Sequence, residues 1–296
     1  MMKITGSTRI TGIFGDPVEH SLSPAMQNAA FESAGLNIAY LPFHVGSSQL
    51  RVLKNAVAGI RALNILGVNV TIPHKQKVIK YLDVVDPNAG SIGAVNTIVN
   101  RDGRLHGYNT DGSGYLLSLR DELDFTPEGK NIVLLGAGGA ARGIFFSLLH
   151  GKPKSVIIAN RTLKKAERLA VEFEAHAAQT VVKAIKLKKN LVKPHAPEAD
   201  LVINTTSLGL MGRGSIDLPL EDLPATAIVS DIVYRPLETG LIKDARSMGL
   251  RTHTGLGMLA RQGALSFELW TGLASPVDAM KSAALEELQR EAGSHG

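Results

Sequence analysis

The sequence predicts an α/β fold, and three observations carry that prediction. Short apolar runs rich in strand formers alternate with segments of helical periodicity along most of the chain. One of these runs, Ile132 to Leu135, turns on Gly136, Gly138 and Gly139 directly into a helix-like segment from Ala140 to His150. The chain has 296 residues, 44% hydrophobic and 20% charged, which is the composition of a soluble globular protein and the length of one large or two ordinary domains.

The glycine run reads NIVLLGAGGAARG from Asn131 to Gly143. A buried strand that turns on glycines into a helix is the pattern of a dinucleotide-binding unit. Gly136 permits the tight turn, and Gly138 lets backbone N–H groups approach a pyrophosphate. Ala141, in the third motif position, keeps helix and strand close. The helix N-terminus adds partial positive charge, so residues Gly136, Ala137, Gly138, Gly139 and Ala140 form the candidate cradle. Val156 to Ala159 follows as the second strand of the unit, then Asn160-Arg161-Thr162 and a helix from Leu163. An NAD-binding protein places Asp or Glu near this point, about 20 residues beyond the motif. This chain offers Asn160 and Arg161, with Lys164 and Lys165 close behind. A guanidinium binds a 2′-phosphate bidentately where a carboxylate repels it, so the chemistry points to NADP rather than NAD.

Upstream, Arg9 to Phe14 reads as a first strand, and the loop after it leads to Ser21-Leu22-Ser23-Pro24 and a helix through about Gly35. Ser23 before Pro24 reads as an N-cap. Ser21 has no capping role in that reading, and two hydroxyls so close in a loop also suit a carboxylate ligand. Ile38 to Val45 is a second strand and Leu50 to Leu63 a helix. Alternating Val68, Val70 and Ile72 form a third strand ended by Pro73, which places Thr71, His74 and Lys75 at its C-terminal edge, where open α/β sheets bind ligands. Gln76 to Leu82 reads as a helix, and Gly93 to Val99 as a strand carrying Asn96. Asn100 to Gly103 is a hairpin turn, Leu105 to Asn109 the returning strand, and Asn109-Thr110-Asp111-Gly112 opens a helix. Asp111 is then either a helix N-terminal anion or a carboxylate partner for a lysine.

Further strands are read at Leu201 to Asn204, ending in Thr205-Thr206-Ser207, and at Ala227 to Asp231, followed by Val233-Tyr234-Arg235-Pro236. Gly255-Leu256-Gly257-Met258 reads as a glycine loop entering a helix through Gln262 to near Gly272. A last helix spans roughly Pro276 to Glu291, and 294–296 are expected to be disordered.

Composition narrows the function. There are no cysteines, so disulfides and thiolate metal sites are excluded, and no metal-ligand spacing is present, so no metal is expected. No apolar run is long enough to span a bilayer, and the first residues lack a signal peptide's apolar core, so a cytoplasmic protein without a membrane partner is expected. The net charge of +5 is concentrated at Lys183, Lys186, Lys188, Lys189 and Lys193. Their spacing is that of a solvated face without stacking aromatics, which argues against nucleic acid and leaves a small anionic ligand.

Taken in order, the segments HSLSP, GVNVTIPHK, GAVNT, GYNTDG, GAGGAARG, NRT, NTTSLG, DIVYRP and GLGMLARQ resemble the shikimate dehydrogenase family, which includes quinate-accepting members. The resemblance covers nearly the whole chain. It implies a substrate-binding α/β domain of residues 1–111 plus 262–296, with the last helices returning to it, and an NADP-binding Rossmann domain of residues 112–261. It further implies reversible NADPH-linked reduction of 3-dehydroshikimate to shikimate, on the path to chorismate and the aromatic amino acids. A monomer or homodimer is expected, and the sequence does not choose between them.

By the same resemblance Ser21 and Ser23 hold the substrate carboxylate, with Tyr234 near that end. Thr71, Asn96, Asp111 and Gln262 bind ring hydroxyls, and Lys75 with Asp111 forms the catalytic pair. Asn160, Arg161, Thr162 and Lys165 read the adenosine 2′-phosphate. Thr205, Thr206, Ser207 and Val233, with Gly255, Gly257 and Met258, line the rest of the cofactor site. One departure is visible: the family commonly shows His where this chain has Gln27, a variation expected to leave activity intact. A broad quinate/shikimate dehydrogenase and a non-catalytic NADP- or metabolite-binding regulator are the alternatives.

Overall fold

The computed structural model describes residues 4–293; the tail 294–296, expected to be disordered, lies outside the described residues. Residues up to Gly114, together with those from Ala260 onward, form one compact unit, and Tyr115–Leu259 form a second.

The first unit starts with β1 (Arg9–Gly15), α1 (Ser23–Ser33), β2 (Ile38–His44), α2 (Leu50–Ala62) and β3 (Gly67–Val70). After a 3₁₀ turn at Lys77–Tyr81 come β4 (Val84–Val85), α3 (Pro87–Ile92), β5 (Thr97–Arg101), β6 (Arg104–Tyr108) and α4 (Asp111–Leu123). The strand order is β2-β1-β3-β5-β6-β4. β1 runs parallel to both β2 and β3, whereas β5 is antiparallel to β3 and forms the expected hairpin with β6. In α2 the buried residues Leu53, Val57 and Ile60 recur at helical spacing and pack on Phe14, Val68, Val70 and Ile98 of the sheet.

Four local expectations are corrected here. β3 ends at Val70, and Ile72, expected inside it, is 63% exposed in a turn with a cis Ile72–Pro73 peptide. All four β3 residues are buried, because this strand lies inside the sheet with both faces covered, so the alternating pattern does not apply. The helix expected over Gln76 to Leu82 is the short 3₁₀ turn. Ser23 is not a cap: Leu22 occupies that position and no side chain caps α1. Instead the Ser21 hydroxyl accepts the Ser23 N–H at 3.2 Å.

The second unit continues with β7 (Asn131–Leu135), α5 (Gly139–His150), β8 (Ser155–Asn160) and α6 (Leu163–Glu172). There follow the single turn α7 (Glu174–Ala177), β9 (Val181–Lys186), the single turn α8 (Lys189–Val192) and β10 (Leu201–Asn204). β11 (Ile228–Asp231), α9 (Gly240–Ser247), β12 (Arg251–His253) and α10 (Gly255–Thr271) complete it. The sheet is parallel throughout, in the order β12-β11-β10-β7-β8-β9. That is the doubly wound dinucleotide-binding order, and it reverses between β7 and β10, where ligands bind beyond the strand ends. Sequence reasoning passed over β9: it is a lysine-bearing edge strand with one buried residue, Ile185. Lys183, Lys186, Lys188 and Lys193 are exposed, and Lys189 pairs with Glu221 at 3.2 Å and Asp217 at 3.4 Å.

From Ala260 onward α10 belongs to the first unit, as does α11 (Val277–Gly293), which packs against α1. Phe267 stacks on Phe31 at 5.4 Å, and the Trp270 indole donates to the Ile98 carbonyl at 2.9 Å. Gly67 makes the second contact possible, since any side chain there would collide with that indole. The last helices therefore return to the first unit, as expected. No helix among the described residues is long and apolar enough to cross a membrane.

Candidate active site

In the first unit the turn after β3 fixes Lys75. The Thr71 N–H donates to the Phe14 carbonyl at 2.9 Å, and the Lys75 carbonyl accepts the Val95 N–H at 2.8 Å. Gly15 gives Thr71 room, because a Cβ there would lie 2.5 Å from the threonine methyl. His74 is buried rather than presented at the sheet edge, and its Nε2 sits 2.6 Å from the Val45 carbonyl. Since a carbonyl only accepts, Nε2 carries the proton, and His74 anchors the turn. Lys75, next along, extends its Nζ to Asp111 Oδ2 at 2.6 Å, with the two side chains 16% and 5% exposed.

Asp111 is the first residue of α4, where the helix N-terminus favours a carboxylate. Its other oxygen, Oδ1, accepts from Asn96 Nδ2 at 2.9 Å. The Asn96 amide is oriented by the Thr110 N–H, which donates to Oδ1 at 2.8 Å and so turns Nδ2 toward Asp111, Thr110 Oγ1 (2.9 Å) and Gln262 Oε1 (3.4 Å). Behind it, Thr97 Oγ1 donates to Asn96 Oδ1 at 3.0 Å. Asn69 Nδ2 reaches the Asn96 carbonyl (3.1 Å), Thr97 Oγ1 (3.1 Å) and Ser266 Oγ (2.9 Å). Asn69 Oδ1 accepts from the Tyr40 hydroxyl at 2.8 Å. Burial pushes the Tyr40 phenol far above its usual range, while the neighbouring Ser23 hydroxyl pulls the other way. One buried polar web thus runs from Ser23 through Tyr40 and Asn69 to Asn96, Asp111 and Lys75. Asn69, Thr97, Tyr40 and Ser266 escaped the sequence reading; the available signal was a polar residue inside the otherwise apolar segments of β3 and α10.

In the second unit the motif glycines divide into two kinds. Gly136 has φ +111°, and a Cβ on it would lie 2.5 Å from Thr205 Oγ1, so conformation and packing both demand glycine. Gly138 and Gly139 have ordinary φ and open space where a Cβ would stand. Nothing in the protein itself requires glycine there, whereas a pyrophosphate lying against the first turn of α5 does. Asn160, Arg161, Thr162 and Lys165 follow at the C-terminal end of β8; only Asn160 is half-buried and the others are exposed. No carboxylate ends this strand to repel a 2′-phosphate. On both counts the residues present fit NADP.

Thr205, Thr206 and Ser207 follow β10. Thr205 Oγ1 donates to the Leu135 carbonyl at 2.6 Å, and Thr206 Oγ1 donates to Asn204 Oδ1 at 2.7 Å, so these hydroxyls also shape their own loop. Asp231, at the end of β11, accepts from Asn204 Nδ2 (2.8 Å), the Val233 N–H (2.9 Å) and Thr239 Oγ1 (2.7 Å), which joins the loops after β10 and β11. Burial raises the Asp231 carboxyl above its ordinary value, partly offset by those three donors. Tyr234 is half-buried just beyond. Gly255 and Gly257 lie in the first turn of α10, not in a loop before it, and buried Met258 follows. A side chain on Gly255 would strike the Ile232 carbonyl, and one on Gly257 would strike the Glu122 carboxylate.

A doubly wound nucleotide-binding unit, joined to a unit that presents a lysine–carboxylate pair in a polar web, defines a nicotinamide-dependent dehydrogenase. Comparison with known proteins makes the class specific. The family model for the shikimate dehydrogenase substrate binding domain matches residues 13–98, that for shikimate / quinate 5-dehydrogenase matches 120–210, and that for the shikimate 5'-dehydrogenase C-terminal domain matches 255–285. A shikimate dehydrogenase (NADP(+)) of Geobacillus kaustophilus is 48% identical over 95% of this chain and 99% of its own length. The crystal structure of a shikimate dehydrogenase in complex with NADP+ superposes with a TM-score of 0.88 at 41% identity, covering 97% of this chain and 98% of that one. The Thermus thermophilus shikimate 5-dehydrogenase in complex with NADP(H) and shikimate gives a TM-score of 0.82 at 40% identity, covering 94% and 99%. The chain belongs to the shikimate dehydrogenase family.

Proposed function

We propose that this chain catalyses the reversible NADP(H)-linked interconversion of 3-dehydroshikimate and shikimate, with the first unit as the substrate domain and the second as the cofactor domain. The observation that carries the reading is the Lys75–Asp111 pair at 2.6 Å, with Asn96 and Gln262 beside it. Bound NADPH supplies a hydride to the ketone carbon. Lys75 Nζ, held by Asp111 Oδ2, donates a proton to the ketone oxygen and stabilises the negative charge that develops there. In the oxidative direction the same nitrogen receives the hydroxyl proton. Asp111 is kept in place by Asn96 Nδ2, so it orients the ammonium without turning away from it.

Thr71, Asn96 and Gln262 take the ring hydroxyls, the Ser21 and Ser23 hydroxyls take the carboxylate, and Tyr234 serves that same end. Gly136 to Ala140, with the first-turn N–H groups of α5, hold the pyrophosphate. Arg161, assisted by Asn160, Thr162 and Lys165, holds the 2′-phosphate. The loop Thr205 to Ser207, Val233 and the first turn of α10 (Gly255, Gly257, Met258) complete the cofactor site. A cysteine-free chain with a mild positive charge, clustered on a solvated face, suits a cytoplasmic monomer or homodimer that acts on small anions and not on nucleic acid. The test is absorbance at 340 nm with shikimate and with quinate, each with NADP and with NAD. Turnover confined to shikimate with NADP is the expected result. Equal use of quinate or NAD makes it a broad quinate/shikimate enzyme, and silence in all four with cofactor still bound makes it a regulator.

A further inference from the structure

Gln27 is fully buried in α1, one turn beyond Ser23. Its Nε2 donates to the Gly263 carbonyl at 2.8 Å, and Gly263 directly follows Gln262 in α10. The amide cannot be reversed, because the carbonyl accepts only. Its other atom, Oε1, is buried with no partner among the described residues. A buried acceptor left without a donor is a liability to the fold, and such a group calls for an explanation other than stability. Gly263 has no need of the bond either, since its carbonyl lies inside continuous α10 and faces the N–H one turn on. Gly263 itself is closely approached: a Cβ there would lie 2.9 Å from the Met26 terminal methyl and 3.3 Å from Gln27 Nε2. The two helices are therefore drawn together at the residues next to Ser23 and Gln262, by a polar contact that does not serve either helix.

We propose that Gln27 is a positioning residue that clasps α1 to α10, and so fixes the spacing between the serine pair, which receives the carboxylate, and Gln262, which receives a ring hydroxyl. This rests on the substrate reading given above. An imidazole N–H can donate to the same carbonyl, so histidine at this position performs the same clasp. Apolar residues of equal length do not.

The experiment compares the wild type with Gln27→Met, which keeps the unbranched shape, and with Gln27→His. Three quantities are measured: KM and kcat for shikimate and for NADP, the shikimate dissociation constant by calorimetry without turnover, and the melting temperature. The expected result for Gln27→Met is a rise of about tenfold in shikimate KM and dissociation constant, with NADP KM within about twofold. Its melting temperature should equal or exceed the wild type's, because the orphan acceptor is gone. Gln27→His should restore shikimate binding. Should Gln27→Met fail to fold, Gln27→Leu replaces it. Wild-type shikimate binding in the apolar variant, or a loss that Gln27→His does not repair, overturns the clasp. A loss matched by a falling melting temperature does the same, by making the contact structural. If the wild type neither turns over nor binds shikimate, the substrate reading itself falls and takes the clasp with it.

Discussion

The two units of the chain present their candidate site residues on opposite plans. In the first unit chemistry is presented by side chains that are buried and held by one another: Asn96, Asp111, Thr97 and Asn69 are all at most 6% exposed. In the second unit it is presented by backbone and by exposed ends, with open space over Gly138 and Gly139 and with Arg161 and Lys165 in solvent. A ring bearing several hydroxyls needs donors and acceptors fixed to a fraction of an ångström. A pyrophosphate needs only N–H groups and a favourable field. The difference teaches that preorganisation is concentrated where the ligand offers the most geometry to read.

The largest effect should come from the buried half. Lys75→Ala should lower kcat by ~100- to 10,000-fold while changing shikimate KM far less, as expected when a positioned acid is removed. Steady-state kinetics would falsify the role if kcat were unchanged.

The glycines offer the sharpest contrast within one motif. Gly136→Ala meets Thr205 and an unfavourable φ together, and should destabilise the second unit by about 2–4 kcal/mol in a denaturant titration. Gly138→Ala should fold with stability within about 1 kcal/mol of the parent yet bind NADP at least ~10-fold more weakly. Equal loss of stability in both variants would erase the distinction between a fold glycine and a ligand glycine.

Arg161→Ala should raise NADP KM by about 10- to 100-fold, the worth of a charge-assisted pair, and leave NAD kinetics alone. If NAD suffers equally, the arginine shapes the loop instead of reading a phosphate.

The smallest effects are in acid, and their signs are opposite at Asp16 of the first unit and Asp231 of the second. Hydrogen bonds from Ser47, and then from His44, hold the Asp16 carboxyl at about 2. Its folded value lies below the unfolded one, so its contribution is present above about pH 4 and lost as pH falls toward 2. Asp231 is raised by burial, so its contribution is full below about pH 4 and lost as pH rises through the raised value. Hydrogen exchange followed from pH 7 to 4 should show the amides around Asp231 gaining protection, and below pH 4 those around Asp16 should lose it. Asp231→Asn should flatten the first of these trends; an unaltered trend would assign it to another group.

The same contrast explains what was legible in the sequence. The second unit was readable because its function lies in local order: a strand, glycines, a helix, then Asn160-Arg161-Thr162. β9 was not readable, since a lysine-bearing edge strand lacks the apolar run that marks β7 or β10. In the first unit Lys75 and Asp111 stood out as charges at element ends, but their pairing joins positions distant in sequence. Asn69, Ser266 and Tyr40 were hidden for that reason, each a single polar residue in an apolar stretch whose partner lies elsewhere in the chain. Ser23 misled because a serine before proline is a good cap by local rule. The chain instead uses the Ser21 hydroxyl on the Ser23 N–H.

The exposure of Arg161, Thr162 and Lys165 has a consequence for inheritance. Substitutions at those three positions disturb no buried side chain, so on the proposed assignment a lineage can change which nicotinamide pool it draws on through one or two tolerated steps. The Asn96 side chain makes five hydrogen bonds, to Thr97, Thr110, Asp111 and Gln262, and a change there must be matched at several positions at once. On the proposed assignment, coenzyme preference in this architecture is thus free to drift, while recognition of the ring is locked by its own neighbours.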